Sequence, residues 1–236
     1  KYVQRQIGNS YQIVKRFLEQ NRKVLFTGTP CQVEGLIKYL GKEYDNLYTQ
    51  DIICHGVPSP KVWKKFLEYK KEHNGEYPKQ IHFRKKGIAG WKDFQVCYQY
   101  NKKEENIHHK EEEYMSLFLS NIDLRKSCYE CQFKKVKRNS DITLADFWGI
   151  DNINSNFNDN KGISAILVHS EKGKEIFENI EDKIEYMKVK IEDIAKFKSC
   201  IDKSVQYNVK REKFFEDLKN KNFKDLIDIY ITKKKD

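Results

Sequence analysis

One stretch constrains the fold more than any other: "KVLFTGTPCQVEGLIKYL", from Lys23 to Leu40. Val24, Leu25 and Phe26 form an unbroken apolar run, the pattern of a strand buried on both faces. After a turn of small residues, Val33, Leu36, Ile37 and Leu40 recur at helical spacing. The alternation then repeats. "LYTQDIIC" reads as a second strand, "HGVPSP" as a turn and "KVWKKFLEYKKE" as a second helix. Strands that alternate with helices pair in parallel, because the helix supplies the crossover that a hairpin cannot.

The remaining segments extend this core. "SYQIVKRFLEQ" (10–20) is a helix behind a Ser cap, while "QIHFRKK" and "DFQVCYQY" alternate as a partly exposed antiparallel pair. "NKKEENIHHKEEE" is rich in charge and reads as a solvated turn, with His108 and His109 in water. "DITLADF" and "ISAILVH" are further strands around the Asn-rich loop "NINSNFNDNKG". From Ser204 onward the chain is helical and amphipathic, ending in a frayed "TKKKD". The expectation is α/β: one domain over 1–236, with a mixed, partly parallel β-sheet flanked by helices and a helical C-terminal region. A length of 236 residues suffices for such a core.

Charge and hydropathy narrow the function classes. No run approaches the roughly 20 apolar residues of a membrane span. The opening "KYVQRQIGNSY" has neither Met nor an apolar leader, so the sequence reads as a fragment of a longer, cytoplasmic protein. Lys and Arg number 45 against 35 Asp and Glu, a net charge of +10. That permits an anionic partner. The basic residues are scattered and no nucleic-acid module is present, so nucleic acid is not the expected partner. The exception is "RKSCYECQFKKVKR" (125–138), where cations surround two cysteines.

Six cysteines without a secretory signal direct attention to metal, cluster or redox chemistry rather than disulfides. Cys128 and Cys131 form C-x-x-C, whose spacing lets two thiolates meet one centre. Cys31 and Cys54 each follow a strand's carboxyl end, where ligands of open α/β sheets gather. Together they make four thiolates, the number a [4Fe–4S] cluster requires. A structural zinc site is the rival, although it usually comes as two close cysteine pairs. Cys97 and Cys200 read as packing residues. The Thr29–Pro30–Cys31–Gln32 turn opens a helix, so its free N–H groups suit a phosphate. His55 is a candidate proton shuttle. Asp146 is a candidate cofactor-orienting carboxylate and Trp148 a candidate ring for stacking. Each of these also has a plainer reading as a cap or a packing residue.

"GTPCQVEGL", "DIICHGVPSPKVW", "HFRKKGIAGW", "SCYECQFK" and "SDITLADFWGI" occur in an order that resembles the coenzyme F420 hydrogenase/dehydrogenase beta-subunit family. The resemblance covers about 1–168. It implies an oxidoreductase in which FAD passes electrons between an iron–sulfur cluster and a deazaflavin or similar carrier. It implies a cluster role for Cys31, Cys54, Cys128 and Cys131. It implies a flavin role for Thr29, Pro30, Gln32, His55, Asp146, Trp148 and Gly149, with His55 as the catalytic candidate. The partner would be a ferredoxin or a hydrogenase/dehydrogenase-like subunit, or the deazaflavin carrier itself. Members often begin with a ferredoxin-like segment and a Gly-rich region that this sequence does not show.

Overall fold

Strands β1 (Val24–Thr27), β2 (Leu47–Ile52), β3 (Gln80–Gly87), β4 (Gly90–Gln99), β5 (Glu104–His108), β6 (Ile142–Asp146) and β7 (Ser164–Val168) form two sheets. Helices α1 (Ser10–Glu19), α2 (Pro30–Leu40), α3 (Pro60–Asn74), α4 (Glu113–Leu119), α5 (Ile150–Asn154), α6 (Glu171–Glu178), α7 (Ile191–Lys196), α8 (Arg211–Asn220) and α9 (Phe223–Tyr230) surround them. The computed structural model describes residues 2, 3, 5–87, 90–197 and 199–231. The expected frayed end over 232–236 lies outside them, as do Ile88 and Ala89 of "HFRKKGIAGW". Among the described residues the chain divides into two compact units: 5–55 with 131–204, and 56–130 with residues 2, 3 and 205–231. No helix among the described residues is long and apolar enough to cross a membrane.

The first unit carries the α/β core. Its sheet runs β1-β2-β6-β7; β1, β2 and β6 are parallel, and β7 is antiparallel to β6. The sheet is therefore mixed, as the strand–helix alternation and the later strands together imply. Helix α2 starts where the sequence provides a start. Thr29 is extended (φ −74°, ψ 160°), Pro30 fits the first turn, and Gln32 Oε1 accepts from Thr29 N–H at 2.9 Å. It stops at Gly41, whose φ of 69° is the left-handed conformation that glycine adopts freely. The apolar stripes of α1 and α2 meet at Val14, Leu18, Leu36 and Leu40, with Leu47 of β2 beneath.

The second unit is built on the antiparallel meander β3-β4-β5. Its core joins Phe66 of α3, Tyr98 of β4 and Tyr114 of α4 to Phe214 and Phe223 of α8 and α9. The charge-rich segment 101–113 departs from expectation here. It is not a solvated turn: it supplies strand β5, then Glu112, which is 1% exposed and caps α4. Glu112 accepts from Met115 N–H at 2.6 Å and Tyr98 O–H at 2.7 Å. Burial pushes its carboxyl above the usual range, those bonds opposing the rise.

Candidate metal and cofactor site

The parallel strands of the first unit deliver several candidate residues to one edge. Gly28 N–H donates to Gln50 O at 3.1 Å, so the turn before α2 follows the end of β1 beside β2. Ile53 N–H donates to Leu144 O at 3.1 Å, which carries β2 on alongside β6 as far as Cys54. Asp146 ends β6 on that same carboxyl edge. Cys31 is exposed in the first turn of α2, its Sγ 3.2 Å from Thr29 Oγ1. Cys54 and Cys131 are half-buried, and Cys131 N–H donates to Ser204 Oγ at 2.8 Å.

A buried charge pair fixes the basic segment that follows Cys131. Arg138 Nη1 lies 3.1 Å from Asp51 Oδ2, and both side chains are almost fully buried. The guanidinium also donates to the carbonyls of Lys135 (2.9 Å), Ile52 (3.0 Å) and Ile201 (3.3 Å). Thr143 Oγ1 completes the carboxylate's shell by donating to Asp51 Oδ1 at 2.5 Å. A buried ion pair is tolerable only when so fully hydrogen-bonded. Lys134 Nζ reaches back to His55 O at 2.9 Å. The segment is thus tied to the end of β2 at several points. Beside it lies a cavity of about 470 Å³ whose lining includes Pro30, Lys38, Lys135, Lys137 and Arg138. Arg138 is committed to Asp51 and three carbonyls, so the three lysines are the cations left to meet an anion there.

The other candidates divide. Gln32 spends its side-chain carbonyl on the cap of α2. Gly149 has a packing reason for lacking a side chain, since a Cβ would lie 1.9 Å from Phe197 Cδ2. Trp148 is half-buried just beyond β6. Cys128 ends a short 3-10 turn, Lys126–Cys128, and belongs to the second unit. Cys97 is fully buried in β4, and burial pushes its thiol up, consistent with a packing residue. Cys200 corrects its reading as packing alone: it is half-buried, with Sγ 3.7 Å from Nδ1 of His55. No local spacing announces it, because 68 residues separate it from Cys131. His108 and His109 are both half-buried. His109 stacks on Phe94 with ring centroids 4.2 Å apart, and burial lowers its pKa.

Cys31, Cys54 and Cys131 do not bring three sulfurs within 4.8 Å of one another. One family model matches residues 21–194; it describes the C terminus of the coenzyme F420 hydrogenase/dehydrogenase beta subunit. No curated protein matches the chain.

Proposed function

Because the chain belongs to the coenzyme F420 hydrogenase/dehydrogenase beta-subunit family, and so to oxidoreductase-like subunits that work with partners, we propose that it is an electron-transfer module built for a [4Fe–4S] cluster and FAD. The observation that carries this reading is the placement of Cys31 and Cys54 beyond the carboxyl ends of neighbouring parallel strands. Cys131 would be a third ligand, and Cys128 is joined to it by C-x-x-C spacing. When bound, the cluster would supply one-electron transfer and the flavin would convert hydride chemistry to single electrons.

The chain's own residues have definable parts. Thr29 and Gln32 cap the start of α2, and Lys38, Lys135 and Lys137 would neutralise the flavin pyrophosphate. Lys134 holds its ammonium on the carbonyl of His55, the residue after Cys54, where a cation would raise a cluster's potential. His55 can hold a proton at Nδ1, with Cys200 Sγ as its neighbour. Asp146, Trp148 and Gly149 would border the ring. The electron carrier on the far side would be a deazaflavin or a ferredoxin-like partner.

Anaerobic purification tests the reading. The protein should carry about four irons with acid-labile sulfide. Cys54→Ser or Cys131→Ser should bleach the broad visible absorption, and Cys97→Ser should leave it. Zinc alone, or equal bleaching by all three changes, would overturn the cluster. The charge-reversed pair Lys135→Glu with Lys137→Glu should retain less FAD than the unaltered chain. Undiminished FAD in that variant would remove the cavity from the proposal.

A further inference from the structure

In the second unit, three side chains that bind metals converge where β4 and β5 meet the segment leading to α4. One ligand atom from each of Asp93, His108 and His109 lies within 4.8 Å of the others. It is the only such set of three among the described residues. Asp93 Oδ1 is 2.5 Å from His108 Nε2. The ladder explains the convergence. Gln95 pairs with His108, and His109 N–H donates to Phe94 O at 3.1 Å, so Asp93 sits one step diagonally from His108.

His109 is prepared for the task. Its Nδ1 lies 2.9 Å from the carbonyl oxygen of Phe94. A carbonyl can only accept, so Nδ1 carries the proton and Nε2 keeps its lone pair. Stacking on Phe94 at an interplanar angle of 17° fixes the ring plane. An imidazole held at one nitrogen by a backbone carbonyl, with the other free, is the usual setting of a metal-binding histidine. His108 is held less firmly, since its Nδ1 meets Lys110 N–H at 3.4 Å.

We propose that Asp93, His108 and His109 form a binding site for a first-row divalent transition metal ion, zinc above all, separate from any cysteine-held centre. Two imidazoles and one carboxylate suit zinc, leaving a fourth position for water. With bonds near 2.0–2.1 Å, tetrahedral ligand atoms stand about 3.3 Å apart. The Asp93–His108 pair must then open from 2.5 Å while the wider gaps, all within 4.8 Å, close, and Asp93, half of whose side chain is exposed, can supply part of that movement by rotation. As the ion enters, the His108 proton passes from Nε2 to Nδ1, which gives up its 3.4 Å contact with Lys110 N–H and leaves Nε2 a lone pair for the metal. The ion would pin Asp93 of β4 to the end of β5, which otherwise lies on the sheet's open edge.

The test uses the full chain, prepared anaerobically with whatever cluster it holds, and titrated with Zn²⁺ against a competing chelator. The unaltered protein should bind one zinc that Asp93→Asn and His108→Gln lose or hold at least tenfold more weakly. Asp93 is an exposed residue, so Asp93→Asn is expected to remain folded, and circular dichroism checks it. Substituting Co²⁺ gives a second readout. The difference spectrum between the unaltered chain and Asp93→Asn should show visible d–d bands without sulfur-to-cobalt charge transfer. Equal zinc stoichiometry and affinity in all three proteins would overturn the site. So would a cobalt difference spectrum dominated by thiolate charge transfer. Neither result bears on the iron content that tests the cluster.

Discussion

Asp123 is fully buried, and neither carboxylate oxygen has a hydrogen-bond partner outside the residue itself. Desolvation lifts its pKa from 3.8 to about 7, against the opposing pull of its own backbone N–H and of Arg211. The sign of the linkage follows. The folded chain keeps a proton that the unfolded chain releases near pH 4, so the contribution is whole below that value. It is lost as pH rises through about 7. A shift of this size corresponds to roughly 4 kcal/mol. Asp123→Asn should therefore flatten the decline in stability between pH 5 and pH 8, measured by urea unfolding. An unchanged slope would place the titration elsewhere, Glu112 being the next buried carboxyl. The thiols offer a simpler contrast at this scale: with apo protein and iodoacetamide, Cys31 should label first and Cys97 last.

Among elements, two glycines separate a fixed neighbour from a movable one. A Cβ on Gly173 would lie 2.1 Å from the carbonyl oxygen of Asp141, so α6 sits directly on the backbone where β6 begins. The three atoms nearest a Cβ on Gly149 all belong to the ring of Phe197, which is 40% exposed and can swing aside. Gly173→Ala should cost at least the roughly 1–3 kcal/mol of overpacking, and Gly149→Ala less. Phe197→Ala should cancel the Gly149 effect and leave the Gly173 effect intact, as a double-mutant cycle would read. Arg138→Met should cost about 3–5 kcal/mol by leaving Asp51 charged and buried. The sequence makes β1, α2, β2 and α3 readable because their periods, turn residues and caps agree. Strand β5 is hidden, since an edge strand with little buried surface keeps its charges and loses its alternation. Glu112 conceals α4 for a related reason: a buried carboxylate cap looks like one more solvated charge in "KEEEY". Cys31 and Cys54 could be placed because both follow parallel strands. Cys200 could not, because only tertiary packing brings it to His55.

For the whole molecule, the decisive fact is that the second unit is discontinuous. Phe214, Leu218, Phe223, Leu226 and Ile227 belong to the core that also holds Phe66, Tyr98 and Tyr114. The family match ends at residue 194, before α8 and α9 begin. A chain ended after Ser204 should therefore keep exchange protection in 5–55 and 131–204 but lose it across 56–130, by hydrogen exchange with mass spectrometry. Protection retained across 56–130 would show that α8 and α9 are dispensable to that core. The same interleaving governs the order of birth on the ribosome. Residues 56–130 emerge early, with Phe66, Tyr98 and Tyr114 ready to be covered, yet the aromatic residues that cover them are translated some eighty positions after Glu130. The unit containing 131–204 is complete before that covering arrives. Residues 56–130 thus wait with an exposed aromatic surface, and their maturation is paced by synthesis of α8 and α9 rather than by their own folding rate.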